Sequence, residues 1–230
     1  MNDFSAAISL LMSADNDLLM IVRLSLRVSL VAVLFATLIG MPLGAATALY
    51  KFPGRKSLVV ILNALMGLPP VVVGLIVYLL LSRSGPFGVL GLLFSPTAMI
   101  IAQTLLIIPI IGALSRQIVD DLWVEYAEQL ISLGASPIRR MMTLLWDGRF
   151  SLLTAVLAGF GRASAEVGAV MIVGGNIDHV TRVMTTSIAL EVSKGNLALA
   201  LGLGMVLITL SLSINAGAFL LKEAAERRQA

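Results

Sequence analysis

The sequence has no cysteine and one histidine in 230 residues. The first absence excludes a disulfide framework, a thiolate nucleophile and any cysteine-ligated metal site. With His179 alone, an HExxH metalloprotease site is excluded too. No GxxxxGK[ST] phosphate loop occurs, so a nucleotide bound in that way belongs to another chain. Charge is also scarce. Asp, Glu, Lys and Arg make up 13% of the residues, against about 25% in soluble domains.

What is abundant is apolar. Hydrophobic residues reach 58%, and the mean hydropathy is +0.99. That much apolar surface does not fit inside one aqueous core, so the composition predicts an all-α integral membrane protein. The net charge of +3 is small, and the basic residues mark loops. They do not read as a nucleic-acid surface, and no cofactor is expected. The Met content suits packing better than metal binding. Met1 to Asp17 carries no Lys or Arg, so a cleavable signal peptide is not expected and the first span serves as insertion signal.

A bilayer core takes about 20 apolar residues per helix. Five stretches meet that need: Ser29–Tyr50, Ser57–Leu81, Pro96–Leu114, Ser151–Gly175 and Asn196–Leu221. An odd number puts the chain ends on opposite sides. Lys51, Arg55, Lys56, Arg116, Arg139, Arg140, Arg149, Lys222, Arg227 and Arg228 would share one face. Arg83, Arg182 and Lys194 would share the other. The richer face is cytoplasmic by the positive-inside rule. The amino terminus is then outside and the carboxyl tail inside. Arg23 and Arg27 run against this pattern, since they precede the first expected span on the outer side; one turn apart, they can snorkel to headgroups.

Proline falls inside three spans, in "GMPLG", "GLPPVVVG" and "IIPII". Each removes a backbone donor and bends its helix; one alone reads as ordinary kinking, since Gly and Pro are common in membrane helices, while three interrupted spans together point to a moving pathway. Broken helices in mid-membrane are a habit of transporters, where freed carbonyls line a cavity. No internal repeat is apparent. The 1–230 chain reads as a single transmembrane domain, too small to enclose a wide aqueous passage alone. A symmetric pair of copies is expected.

The segment "DDLWVEYAEQLISLGASPIRRMM", Asp120 to Met142, is polar among greasy neighbours. It reads as a short helix, a corner and a second helix. Asp120 and Asp121 suit a helix amino end. Trp123, Ala127, Leu130 and Leu133 recur at helical spacing and predict one apolar face. Glu125, Glu128 and Gln129 point off that face. Gly134 fits the left-handed position after a helix end. Ser136 is placed to cap the next helix, with Pro137 at its first position.

Inside the fourth expected span, "GRASAEVGA" sets Arg162 and Glu166 four apart on one helical face. Charges there cost several kcal/mol unless paired or wetted. They either line a path for an anion or form an ion pair that fixes packing. A carboxylate alone would repel an oxyanion. Small residues around them, Gly161, Ala163, Ser164, Ala165, Gly168 and Ala169, allow close helix approach. "GGNI" then ends the span. The amphipathic stretch after it, holding His179, is expected to cap the pathway or meet a binding protein. His179 itself reads as solvated.

The polar corner resembles the cytoplasmic Glu-Ala-Ala…Gly motif of inner-membrane permeases in ATP-binding-cassette importers. "EQLISLG" supplies Glu128 and Gly134, and "LGAS" is shared. Gln129 and Leu130 stand where the motif has alanines, Leu144 where it has Ile, and Trp146-Asp147 where it has Leu-Pro. "SLRVSLVAVLFATLIGMPLGAATAL" and "LMGLPPVVVGL" resemble the first two helices of molybdate-type permeases. "GRASAEVGAVMIVGGNIDHVTRVMTTSIALE" is most similar to tungstate permeases. The resemblance covers about Leu24 to Leu220.

It implies a type I importer permease of MetI-like fold, with five transmembrane helices and a cytoplasmic coupling helix. The permease would form a homodimer in membrane lipid. Two copies of a separate ATPase subunit would dock inside, and an extracytoplasmic oxyanion-binding protein would deliver cargo outside. Coupling would fall to Glu125, Glu128, Gln129, Gly134, Ala135 and Ser136. Pathway or gate positions would be Pro69, Pro70, Arg162, Glu166, Gly168, Gly174 and Asn176. The implied cargo is tungstate, with molybdate or sulfate as the alternative.

Two other classes compete. An intramembrane enzyme needs a nucleophile with its base, paired aspartates or a metal motif, and the spans hold none of these. A stand-alone ion-coupled carrier would use Arg162 and Glu166 as a proton relay. That reading leaves the polar corner without a purpose.

Overall fold

The computed structural model describes residues 16–226. Met1–Asp15, on which the signal-peptide expectation chiefly rests, lies outside the described residues, as do Arg227 and Arg228. Among the described residues the chain forms nine α-helices and no strand. They are α1 (Asn16–Leu49), α2 (Arg55–Met66), α3 (Pro70–Leu81), α4 (Pro96–Ser132), α5 (Pro137–Asp147), α6 (Arg149–Ser164), α7 (Gly168–Gly174), α8 (Met184–Lys194) and α9 (Leu197–Glu226). A 3-10 turn, Gly88–Leu90, lies between α3 and α4.

Three helices are long and apolar enough to cross a membrane, within Asp17–Leu49, Pro96–Ser132 and Leu197–Leu220. Two further pairs qualify only as bent units, α2 with α3 and α5 with α6. The number of crossings is therefore three, or up to five if each bent pair crosses once.

Proline acts differently at its three sites. Pro42 lies within α1 and Pro109 within α4, and both helices run on unbroken. One lost donor among a long ladder of bonds is tolerated in an apolar helix. Only "GLPP" ends a helix. Gly67 and Leu68 close the last turn of α2 through N–H bonds to the carbonyls of Ala64 and Leu65. Pro69 then takes an extended conformation and Pro70 opens α3.

Other boundaries also depart from the sequence reading. Arg23 and Arg27 sit inside α1 rather than ahead of it. The third span does not stop near Leu114. It continues as a 37-residue helix to Ser132, about 55 Å long and well beyond a hydrocarbon core of about 30 Å. The fourth expected span is two helices, α6 and α7, separated at Ala165–Val167 without any proline. α5 meets α6 at a 75° bend.

The chain forms two compact units, and α1, α4 and α6 each contribute to both. The first unit comprises residues 1–32, 69–103 and 161–230. In it Leu18 of α1, Met184 of α8 and Leu203 of α9 form a buried cluster. The Ser25 hydroxyl accepts the Met184 N–H at 2.7 Å, which ties the start of α8 to α1. α3 lies against α7 at Gly74 and Ala169.

The second unit comprises residues 33–68 and 104–160. α1 and α4 touch backbone to backbone there. A Cβ on Gly40 would sit 2.8 Å from the Ile108 carbonyl oxygen, and one on Gly44 would overlap the Gly112 carbonyl. Small residues at such crossings replace the hydrophobic drive that lipid cannot supply. The carbonyls of Thr47 and Ala48 at the end of α1 accept hydrogen bonds from the Arg55 guanidinium. That satisfies acceptors a helix end otherwise leaves open.

Candidate functional site

In the second unit, the polar segment forms a corner between α4 and α5. α4 ends in a backbone lock: the Gly134 N–H donates to Ile131 O at 2.9 Å, and the Ala135 N–H to Leu130 O at 3.1 Å. This paired pattern requires a left-handed residue between the two donors, and Gly134 supplies it at φ +64°. Ser136 is extended and precedes α5, with Pro137 first in the helix. Its hydroxyl makes no cap hydrogen bond, contrary to the expectation. Pro137 has no N–H, so one open donor of that first turn is absent from the start.

The corner is held from beneath. Leu130 and Leu144 are buried with Ala45, Ala48 and Val119, and Leu122, Trp123, Tyr126 and Ala135 pack onto them. Tyr50 donates its hydroxyl proton to Pro137 O at 3.0 Å. The Arg140 Nε–H bonds Ala135 O at 2.7 Å while its guanidinium lies over the Trp123 ring.

Two sequence expectations fail here. The apolar face runs through Val119, Leu122, Trp123, Tyr126 and Leu130, and Leu133 leaves it, 74% exposed. Asp120 and Asp121 do not begin a helix either. They lie well inside α4, where Asp120 pairs with Arg116 one turn earlier at 3.2 Å. That internal pair removes the need for a helix end.

Of the predicted coupling residues, Glu125, Glu128, Gln129, Gly134 and Ser136 are exposed, and Ala135 is half-buried. Exposed apolar side chains flank them: Val124, Leu133, Ile138, Met142 and Trp146. A rigid corner thus presents carboxylates, an amide and bare hydrophobes together.

The first unit holds the second group of candidates, around the break between α6 and α7. Glu166 is 5% exposed. Its Oε1 accepts the Ala169 N–H at 3.0 Å and so serves an open donor at the start of α7. Its Oε2 lies 3.7 Å from Arg162 Nη2, and its backbone oxygen accepts the Thr185 hydroxyl at 2.8 Å. A Cβ on Gly168 would press on Val71 at 2.8 Å, next to Pro70. Pro69 is exposed and Pro70 half-buried at the start of α3. Arg162, Glu166, Gly168 and Pro70 are thereby gathered at one end of α7.

Gly174 and Asn176 lie at the other end. Gly174 faces Met99, and its carbonyl accepts the Thr181 hydroxyl at 2.6 Å. Asn176 is left-handed at φ +49°; its Nδ2 reaches Thr186 O at 3.5 Å, and its buried Oδ1 has no partner. His179 is exposed, with its ring nitrogen 3.9 Å from Asp178. α8 continues the amphipathic stretch, burying Met184, Thr186, Ser187 and Glu191.

Sequence reasoning missed Gln103. It is 4% exposed in α4, donates Nε2–H to Ala163 O at 3.0 Å at the helix break, and leaves its own Oε1 unpartnered. The available signal was an amide in the apolar run "IIAQTLLII". Thr181 and Thr185 were missed as well; nothing in a loop sequence marks a threonine as a clasp.

Long apolar helices, a bent helix pair parted at paired prolines and a polar corner closed by a left-handed glycine mark a membrane-embedded chain. The chain belongs to the family of binding-protein-dependent transport system inner membrane components, whose model matches residues 40–228. It is 40% identical over 220 residues, 96% of each chain, to the tungstate uptake system permease protein TupB of Peptoclostridium acidaminophilum. It is 36% identical over 195 residues to TupB of Campylobacter jejuni, covering 85% of this chain and 82% of that one. A probable anion ABC transporter permease of Haloferax volcanii is 38% identical over 185 residues, covering 78% of this chain and 80% of the other.

Proposed function

We propose that this chain is the translocating subunit of an ATP-driven importer that carries tungstate into the cytoplasm. ATP hydrolysis belongs to a separate subunit, a reading supported by the lack of a GxxxxGK[ST] phosphate loop in this sequence. Two copies form the membrane-embedded pair, each taken as one transmembrane domain over about residues 24–220. Two ATPase subunits dock on the inner face, and an extracytoplasmic oxyanion-binding protein delivers cargo to the outer face. The amino terminus is outside and the carboxyl terminus is cytoplasmic.

The observation that carries the coupled-import reading is the corner at Gly134. An exposed acidic edge with uncovered hydrophobes, mounted on a locked backbone and a buried cluster, transmits a push without bending. Glu125, Glu128, Gln129, Gly134, Ala135 and Ser136 make the contact. Pro69, Pro70, Arg162, Glu166, Gly168, Gly174 and Asn176 line or gate the pathway. The cargo assignment is supported by the likeness to tungstate uptake permeases over most of the chain. The test is ATP-dependent uptake by the assembled importer, with tungstate, molybdate and sulfate compared. Tungstate moving first supports the assignment; molybdate or sulfate moving in its place overturns the cargo.

A further inference from the structure

Arg162 and Glu166 are unequal partners. Glu166 is committed to the protein: its carboxylate is buried, caps α7 through Ala169, and its backbone is clasped by Thr185. Arg162 is not. Its side chain is 39% exposed, and its contact with Glu166 is 3.7 Å, longer than a hydrogen bond. A guanidinium carries five N–H donors. Most of them are therefore open on its exposed side.

The position makes that exposure costly in lipid. On the topology proposed above, Arg162 lies within the fourth expected span, Ser151–Gly175, and so inside the hydrocarbon core. A guanidinium facing acyl chains there costs at least about 2.5 kcal/mol, so on that topology the open side needs water or a polar partner. The backbone beside it is uncrowded, because a Cβ on Gly161 would meet nothing within 4 Å. The backbone that follows it is fixed, because Gln103 holds the Ala163 carbonyl.

We infer that Arg162 is the group that contacts a divalent tetrahedral oxyanion in transit, and that Glu166 is its positioning residue. This rests on the pathway reading given above. A planar donor fork suits two oxygens of such an anion. The nearby carboxylate tempers the positive charge without tying up the donors, since its Oε1 is held by Ala169 and its Oε2 stays 3.7 Å from the guanidinium. A transit contact must release its ion as readily as it takes it.

The cysteine-free sequence provides the test. Arg162→Cys is made in the complete importer, with its ATPase and binding protein, in proteoliposomes. Uptake should fall about tenfold or more, while binding-protein-stimulated ATP hydrolysis persists. The introduced thiol should react with a membrane-impermeant thiosulfonate, and tungstate should slow that reaction. An aminoethyl thiosulfonate, which restores a positive charge, should recover uptake; a sulfonatoethyl reagent should not. Glu166→Gln, which keeps an acceptor for Ala169, should retain more uptake than Arg162→Cys.

A thiol unreactive toward the impermeant reagent, or uptake equal to the unsubstituted importer, overturns the inference. So does loss of assembly in Arg162→Cys together with equal loss in Glu166→Gln, which would make the pair a packing device. If the thiol is reactive but protected by molybdate or sulfate and not by tungstate, the anion contact stands and the tungstate assignment falls.

Discussion

Gly74 of α3 lies so close to Ala169 of α7 that a Cβ on the glycine would stand 2.7 Å from the Ala169 Cα. Both partners are backbone, so neither yields by a side-chain rotation. Gly74→Ala therefore pushes α3 off α7 and disturbs the end of α7 that Glu166 caps. Overpacking of this kind costs about 1–3 kcal/mol. The purified protein in detergent should melt at lower temperature, and uptake should fall more than ATPase binding does. An unchanged melting temperature would contradict the contact.

Gly134 is the left-handed residue that turns α4 into α5. Space is not the constraint, since a Cβ there meets nothing within 4 Å. Gly134→Ala should cost only the backbone strain, about 1–2 kcal/mol. Gly134→Pro also removes the N–H that bonds Ile131 O, and excludes a positive φ. Copurification of the ATPase should be mildly reduced for Ala and lost for Pro. Equal retention by both would show that the corner is not the docking element.

Glu128→Arg alters charge on an exposed side chain and leaves the buried cluster of Leu130 and Leu144 intact. The variant should insert and fold normally yet fail to retain the ATPase. Surface exchanges of this sort usually change stability by under about 0.5 kcal/mol. The check is pull-down of the ATPase alongside a melting curve. Loss of folding with loss of binding would mean that the edge supports the fold rather than the partner.

Thr181 is 1% exposed, and its hydroxyl works twice: it donates to Gly174 O at 2.6 Å and accepts the Ile177 N–H at 2.9 Å. Thr181→Val fills the same space and removes both bonds. Leaving the buried Gly174 carbonyl without this donor costs about 1–3 kcal/mol, and the part-buried Ile177 N–H loses its acceptor too. The expected results are a lowered melting temperature and faster amide exchange at Ile177, read by mass spectrometry. Thr181→Ser should be close to the unsubstituted protein.

The long apolar helices α1, α4 and α9 were legible because lipid imposes length and hydropathy on any helix that crosses it; the second expected span is a bent pair, α2 with α3, and the fourth is divided between α6 and α7. The corner was legible because Gly134 and Pro137 have strong local rules. Helix continuity was not. Asp120 and Asp121 look like a beginning, and only the Arg116 pairing shows why α4 passes through them. Pro42 and Pro109 look like breaks, but a long helix absorbs each. The actual break at Ala165–Val167 has no proline; Glu166, Thr185 and Gln103 hold it, and two of these are distant in sequence. The pathway candidates around Arg162 and Glu166 could be named from spacing. Their unequal burial could not, since Glu166 is enclosed through bonds to Ala169 and to Thr185, the latter nineteen residues away in sequence.

The most direct measurement is radiolabelled tungstate uptake in proteoliposomes holding this chain, with ATPase and binding protein each present or omitted. Accumulation is expected only when both partners and ATP are supplied, and it should vanish with Glu128→Arg. Tungstate entry through the chain alone, with no nucleotide consumed, would contradict the account.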